Sequence, residues 1–209
     1  MILLPRFYPI LDTSCFPSTD ALLDAAERLI AAGAQILQYR NKSADATRML
    51  IEARELRRRV LSCAGGESVR LIMNDRADLC LAAEYDGLHV GQDDLSPASA
   101  RPIIGRNRLL GFSTHNSPQV IEADKSPADY IAIGPVFGTA SKANSDPVVG
   151  VDGVREARRL TTKPLVAIGG ITRANCQSVI DAGADSVAVI SDLVREPLGA
   201  AKEFRKILG

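Results

Sequence analysis

Two acidic side chains follow buried, strand-like segments and are spaced as a metal site would require. Leu71 to Met73 leads into Asn74 and Asp75, and residues 88–91 lead toward Asp94. The two carboxylates are 94 − 75 = 19 residues apart, about one strand-helix unit, so an α/β barrel would bring them to one rim. Such a pair suits a hard cation such as Mg²⁺, which points to a phosphorylated substrate. The alternative is that each acid caps the helix that follows it.

A second group of polar residues, from Gln38 to Lys42, stands at the end of another apolar segment. Alternation along a strand predicts that Gln38 and Arg40 point to the same side, into the mouth of the barrel. The planar guanidinium of Arg40 matches phosphate oxygens, and Lys42 adds a mobile positive charge. Such cations more often lie on a solvated surface. Opposite two carboxylates, they are better interpreted as an anion clamp.

Glycine and hydroxyl residues predict a further anion site near the end of the chain. Gly169 and Gly170 end an apolar segment and let the backbone approach a ligand, while the amides after them suit a phosphate. Ser191 ends the next segment, and phosphate sites formed by the last two loops recur in barrels. We expect Thr172 to cap the following helix. The alternative is that the glycines only form a tight turn.

The sequence does not decide the role of three other features. The segment 134–142 is too long for a minimal connection, so Lys142 either closes over a phosphorylated ligand or belongs to a surface loop without function. His89 lies within a strand-like segment and is either a hydrogen-bonded interior residue or catalytic. His115 follows Ser113 at a strand end and is the better candidate for substrate contact.

The elements that must position these residues alternate between strand and helix. Eight short apolar runs begin near Phe7, Ile36, Val69, Gly87, Leu109, Tyr130, Leu165 and Ser186. Between most of them apolar residues recur at three-to-four spacing, as in Ala21 to Ala31, Ala46 to Leu61, Val154 to Leu160 and Cys176 to Ala182. This order predicts a compact α/β fold, a (β/α)₈ TIM barrel, whose strand ends gather the polar residues on one face. A doubly wound open sheet is the rival.

Length and composition limit the number of domains, the kinds of partner and the cellular location to be expected. No linker divides the 209 residues, so we expect one domain over 1–209. The 25 Lys and Arg residues balance 25 Asp and Glu residues, which argues against nucleic-acid or membrane partners. The four cysteines form no C-x-x-C pair, and no apolar run approaches a membrane span. We therefore expect a soluble, cytoplasmic protein with reduced thiols.

Seven segments in register carry a resemblance to a known family. They are residues 38–42, 74–75, 89–94, 111–115, 134–142, 168–171 and 184–191. Together they resemble thiamine phosphate synthase (thiamine-phosphate pyrophosphorylase) over nearly the whole chain. The resemblance implies a (β/α)₈ barrel that transfers the 4-amino-2-methylpyrimidin-5-ylmethyl group from its diphosphate to a thiazole phosphate. The products would be thiamine phosphate and diphosphate.

The resemblance also implies residue roles. The pyrimidine diphosphate would be held by Gln38, Arg40, Lys42, Asn74, Ser113 and Lys142, of which Arg40, Lys42, Ser113 and Lys142 are the catalytic candidates. Mg²⁺ would be carried by Asp75 and Asp94, where the choice of Asp94 over Asp93 follows the family register. The thiazole phosphate would be bound by Thr139, Ser141, Gly170, Ile190 and Ser191. In this family diphosphate leaves first, so no protein nucleophile is required, and a homodimer is possible.

Two departures and two alternatives accompany the resemblance. The family usually has Glu where this chain has Asn41, and Pro-Thr-Glu-Thr-Lys-Lys where this chain has residues 138–143. A thiazole tautomerase, which is an isomerase, would not need Asp75, Asp94 or Arg40. A non-catalytic regulator that binds thiazole phosphate would keep only the glycine pocket.

Overall fold

Eight parallel strands close into a barrel, as the alternating sequence pattern predicts. The computed structural model describes residues 3–42, 45–138 and 146–209. The strands are β1 (Phe7–Asp12), β2 (Ile36–Arg40), β3 (Arg70–Asn74), β4 (Gly87–Val90), β5 (Leu109–Thr114), β6 (Tyr130–Ile133), β7 (Leu165–Ile168) and β8 (Ser186–Val189). Each strand pairs with the next, and β8 pairs with β1. The (β/α)₈ prediction is confirmed, and the open sheet is wrong because a sheet with edges would leave β1 and β8 unpaired.

A helix follows each strand and covers the outside of the barrel. The helices are α1 (Thr19–Ala31), α2 (Ala46–Ser62), α3 (Ala77–Ala82), α4 (Pro97–Ile104), α5 (Ser117–Lys125), α6 (Gly150–Leu160), α7 (Cys176–Asp181) and α8 (Pro197–Leu208). Side chains cap several of them: Ser18 accepts from the amide of Ala21, and Asp45 accepts from the amides of Thr47 and Arg48. None of the helices in the described ranges is long and apolar enough to cross a membrane.

The predicted capping role of Thr172 is wrong. Helix α7 begins only at Cys176, and its N-terminal flanking residue, Asn175, makes no capping hydrogen bond. The Asn175 side chain turns back instead, so that its Oδ1 accepts from the Thr172 amide at 2.7 Å and its Nδ2 donates to the Gly170 carbonyl at 3.0 Å. This local bonding orders the loop after β7 and delays the helix.

Two apolar layers lie on the two faces of the sheet. The larger layer fills the space between the strands and the helices. The smaller layer fills the barrel interior and consists of Tyr8, Ile10, Ile36, Ile72, Leu109, Tyr130, Ala132, Val166 and Ala188. Because side chains alternate along a strand, the inward residues nearer the carboxyl ends are the ones that line the barrel mouth.

Candidate active site

A cavity of about 670 Å³ opens at the carboxyl ends of the strands. Ten of the predicted site residues line it: Gln38, Arg40, Lys42, Asn74, Asp75, Asp94, Ser113, Gly170, Ile190 and Ser191. The other three, Thr139, Ser141 and Lys142, lie outside the described residues. The barrel thus brings together residues from six strand ends that are up to 153 positions apart in the sequence, from Gln38 to Ser191.

The two carboxylates meet on one side of this cavity. The Asp75 and Asp94 carboxyl groups lie close enough for Asp94 to affect the ionisation of Asp75. Burial and the neighbouring Asp94 raise the pKa of Asp75 to about 6, although Lys42 acts in the opposite direction. Two acids this close repel each other when both are ionised, so the pair favours a bound cation or a shared proton.

Neither acid caps a helix, so the alternative interpretation is wrong. Helix α4 is capped by Ser96, whose hydroxyl accepts from the Ser99 amide, and helix α3 begins after Arg76 without a side-chain cap. The Asp94 Oδ2 accepts instead from the Gly91 amide at 2.7 Å. Asp75 has a φ of 62°, a left-handed conformation that is costly for a residue with a Cβ. The backbone therefore holds this carboxylate in place at some cost, as is common at functional sites.

Both predicted cations that lie in the described residues are paired with an acid. Arg40 forms an ion pair with Asp12 at the end of β1, and Lys42 forms one with Asp75. The Asp12 side chain is only 2% exposed and that of Lys42 is 53% exposed, so the first pair is shielded from solvent and the second borders it. We call Arg40, Lys42, Asp75 and Asp94 the charged side of the cavity.

Asn41 turns away from the cavity, between the two cations. Its Nδ2 donates to the Glu52 carboxylate at 3.0 Å and to the Tyr39 hydroxyl at 3.1 Å. Glu52 also accepts from Thr19 at 2.7 Å and from Tyr39 at 2.8 Å. Burial opposes ionisation of Glu52, but these donors outweigh it and lower its pKa. Glu52 therefore anchors the chain between Arg40 and Lys42.

The opposite side of the cavity is built from backbone. Gly169 and Gly170 have φ values of 99° and 63°. A Cβ on Gly169 would lie 2.6 Å from Pro135 Cα, and one on Gly170 would lie 2.5 Å from the Gly138 carbonyl oxygen. Both positions therefore require glycine, which is more than a tight turn alone would demand. We call Gly169, Gly170 and Ser191 the glycine side.

Neutral polar groups line the floor between the two sides. The amide nitrogen of Asn74 is buried and has no hydrogen-bond partner among the described residues. An orphaned buried donor is costly, so this group is suited to a ligand acceptor. His89 bonds Ser113 Oγ through Nε2 at 2.8 Å, and His115 Nδ1 lies 2.6 Å from the Gly134 carbonyl oxygen. Both histidines line the cavity.

The acid pair fits a magnesium ion that takes its remaining ligands from phosphate. No cluster of three or more His, Cys, Asp or Glu side chains forms a metal site in the described ranges. Mg²⁺ in nucleotide and diphosphate sites commonly uses one or two carboxylates, with substrate oxygens and water as the other ligands. Asp75 and Asp94 supply that number of carboxylates.

Sequence reasoning missed three residues. No role is predicted for Asp12 from the sequence, and its ion pair with Arg40 shows what it does. Tyr8 and Tyr130 are fully buried strand residues and resemble core packing. Only their inward register, shared with Asp12 and Gly134, indicates that their hydroxyl groups face the barrel axis.

Comparison with known proteins finds relatives that match nearly the whole chain. Residues 7–193 match the family model described as thiamine monophosphate synthase. The chain is 56% identical to the thiamine-phosphate synthase of Koribacter versatilis, over 98% of this chain and 96% of that one. It is 42% identical to that of Chloroflexus aurantiacus, over 97% and 92% of the two chains.

A solved structure supports the same relationship. The thiamine phosphate pyrophosphorylase from Pyrococcus furiosus superimposes with a TM-score of 0.83 at 31% identity, covering 97% of this chain and 95% of that one. The similarity therefore extends through the strands, the helices and the rim that carries the cavity.

Proposed function

The chain belongs to the thiamine monophosphate synthase family and is a transferase, and from that premise we propose which residues carry out the reaction. The proposed reaction joins the pyrimidinylmethyl group of 4-amino-2-methyl-5-hydroxymethylpyrimidine diphosphate to a thiazole phosphate. The observation that carries the assignment is the charged side, where two cations and two carboxylates from β2, β3 and the loop after β4 border one cavity. A diphosphate with a divalent cation matches that set of charges.

The charged side would hold the diphosphate. Arg40 and Lys42 would exchange their present acidic partners for phosphate oxygens, to which charge-assisted hydrogen bonds are strong. Asp75 and Asp94 would hold Mg²⁺, which supplies Lewis-acid stabilisation of charge on the leaving group. Lys142 of the undescribed segment would add a further cation. The amide nitrogen of Asn74 and the groups of Gln38 and Ser113 would orient the pyrimidine.

The glycine side would hold the thiazole phosphate. The amides around Gly170 and Ser191 can donate to phosphate oxygens, and Ile190 would pack against the ring. Thr139 and Ser141 would complete this pocket. The nitrogen of the thiazole would then face the carbon that loses diphosphate, so that departure of diphosphate precedes capture by the ring nitrogen. Stabilisation of the departing charge by Arg40 and Lys42 makes a protein nucleophile unnecessary.

One assay distinguishes the candidate functions. The protein is incubated with both substrates and Mg²⁺, and diphosphate and thiamine phosphate are measured, together with a control lacking Mg²⁺. We expect both products, and their loss without the metal. Isomerisation of the thiazole without coupling would identify a tautomerase, and binding of thiazole phosphate without turnover would identify a regulator. The cytoplasmic location and the homodimer stay predictions.

A further inference from the structure

A line of buried hydrogen bonds crosses the barrel and joins Gln38 to Ser113. The Gln38 Nε2 lies 3.1 Å from the Tyr8 hydroxyl, and that hydroxyl lies 3.0 Å from the hydroxyl of Tyr130. The Tyr130 hydroxyl lies 3.0 Å from His89 Nδ1, and His89 Nε2 lies 2.8 Å from Ser113 Oγ. Its two ends line the cavity, and Tyr8 and Tyr130 lie deeper in the barrel. We call these five residues the relay.

The two phenols of the relay keep their protons. Tyr8 is 1% exposed and Tyr130 is 0% exposed. Burial raises the pKa of Tyr8 to about 12, against the effect of its hydrogen bonds with Tyr130 and Gln38, and it also raises the pKa of Tyr130. Each hydroxyl therefore has one proton to donate, and each of these protons needs an acceptor.

Proton counting gives the relay a direction. The Gln38 nitrogen can only donate, so the Tyr8 oxygen accepts from it. In the described part of the chain the remaining partner of Tyr8 is Tyr130, so Tyr8 donates its proton there.

The same counting continues to the far end. In a neutral imidazole the Tyr130 proton then goes to His89 Nδ1, which puts the ring proton on Nε2. That proton is donated to Ser113 Oγ, and the Ser113 hydroxyl proton is left to point into the cavity.

We propose that Tyr8, Tyr130 and His89 are positioning residues that set the hydrogen-bonding polarity of the substrate pocket. Gln38 presents its Oε1 as an acceptor, and Ser113 presents its hydroxyl as a donor. The pocket therefore selects a ring that offers an N–H donor toward β2 and a nitrogen acceptor toward β5. This inference rests on the proposed function, in which the ring is an aminopyrimidine with an exocyclic amine and unprotonated ring nitrogens.

The relay behaves as one unit because no member can reverse alone. If the Gln38 amide turned over, each hydrogen bond as far as Ser113 would have to reverse to keep its proton paired. Gly111 keeps the necessary space open: a Cβ there would lie 2.1 Å from Tyr130 Cζ and 2.4 Å from His89 Nδ1. A glycine at the centre of β5 is thus explained by the relay beside it.

The first test uses a substrate of inverted polarity. In the 4-oxo analogue of the pyrimidine diphosphate a carbonyl replaces the amine and a ring nitrogen carries a proton. We expect the wild-type protein to prefer the amino substrate by about 100-fold or more in kcat/KM. Tyr8→Phe and Tyr130→Phe should each reduce that preference by about tenfold, because each frees the Gln38 amide to turn over. The double variant should reduce it no further.

A matched control separates polarity from packing. Tyr85 is equally buried and donates to the Ala53 carbonyl at 3.1 Å, outside the relay. Tyr85→Phe removes the same atom and should leave the amino-to-oxo preference unchanged. An unchanged preference in folded Tyr8→Phe or Tyr130→Phe would overturn the proposal. So would additive losses in the double variant, or an equal loss in the control.

A second measurement does not depend on turnover. Nitrogen-15 NMR of the ligand-free protein reports which imidazole nitrogen is protonated, and the chain has two histidines, so His115→Gln identifies the His89 signals. We expect His89 protonated on Nε2 and not on Nδ1, and we expect that preference to weaken in Tyr130→Phe. The opposite tautomer, or an unchanged one in Tyr130→Phe, would overturn the relay. A wild-type protein without turnover would instead overturn the proposed function, and the relay would then be judged by these spectra.

Discussion

The charged side and the glycine side of the cavity are built in opposite ways. On the charged side, long side chains neutralise one another: Arg40 pairs with Asp12, and Lys42 pairs with Asp75. On the glycine side, the backbone itself forms the surface, and neighbouring main-chain atoms lie too close for any Cβ on Gly169 or Gly170. Ligand binding must therefore exchange partners on the first side and only fill space on the second.

This difference predicts which substitutions each side of the cavity tolerates. A network of paired charges keeps its shape if the charges are conserved, and it fails when one partner is left alone in a buried place. A backbone site has no charge to lose, but one added methyl group would collide with the neighbouring loop and displace the backbone that forms it. The two sides should therefore respond to different substitutions, and each response should affect the affinity for a different substrate.

The largest expected effect is loss of a metal-binding carboxylate on the charged side. Asp75→Ala and Asp94→Ala should each lower kcat/KM by about 100-fold or more, because charge on the leaving group is no longer stabilised. Steady-state kinetics at several Mg²⁺ concentrations measure this loss, and circular dichroism should show an intact fold.

Asp93 is the matched control, since it is the adjacent acid and also borders the cavity. Asp93→Ala should change kcat/KM by less than about threefold, as is usual for an exposed charge with little to stabilise. Equal losses in Asp93→Ala and Asp94→Ala would show that the register of the metal site is wrong.

A methyl group on the glycine side should have the next largest effect. In Gly170→Ala the Cβ would lie 2.5 Å from the Gly138 carbonyl oxygen, at a φ of 63°. We expect KM for the thiazole phosphate to rise about tenfold, with KM for the pyrimidine diphosphate little changed.

Gly105 provides the control for backbone strain. It has a φ of 78°, and nothing lies within 4 Å of an added Cβ. Gly105→Ala therefore carries the strain of a positive φ without a collision with neighbouring atoms. If both variants altered KM for the thiazole phosphate alike, the site assigned to the glycine side would be refuted.

A carboxylate at position 41 should disturb the contact with Glu52 that anchors the chain between Arg40 and Lys42. Asn41→Glu would set a second acid against Glu52, which now lies 3.0 Å from the Asn41 amide nitrogen. We expect a loss of about 1–3 kcal/mol in the free energy of unfolding, because a buried donor is replaced by a like charge. Urea denaturation measures it.

A second substitution, at Glu52, tests whether like-charge repulsion causes this loss of stability. Asn41→Glu/Glu52→Gln removes the like charge and restores a donor, so it should recover most of the stability. A double variant no more stable than Asn41→Glu would contradict the repulsion.

The smallest expected effect is the pH dependence of the stabilisation that Glu52 provides. The donors around Glu52 lower its pKa in the folded protein despite burial. Its stabilisation is therefore present above the unfolded pKa of about 4.3 and is lost as pH falls through the folded pKa. The stability difference between wild type and Glu52→Gln should narrow as pH falls from 7 to below 4. A difference that stays constant over this range would argue against an ionised Glu52.

Much of the fold and of the candidate site could be predicted because the signals are local. Short apolar runs separated by amphipathic segments predict a parallel barrel, and the polar residues that follow Leu37, Met73 and Val90 predict which end carries the chemistry. The helix start after Gly170 could not be predicted, because Asn175 bonds backward to the loop and no sequence rule distinguishes that bond from a cap. Residue roles stay predictions, since geometry alone does not measure turnover.

The sequence by itself determined the eight strand-helix units, the position of each polar residue at a strand end and the family to which the chain is similar. These properties depend on neighbours within one element, where periodicity and residue type are sufficient. Only the tertiary structure decided which groups meet: Arg40 with Asp12, Asn41 with Glu52, and Tyr8 with Tyr130, 122 positions away. Parallel pairing of β1 with β2 sets Arg40 beside Asp12, and closure of the barrel places Tyr8 and Tyr130, inward residues of distant strands, around one axis.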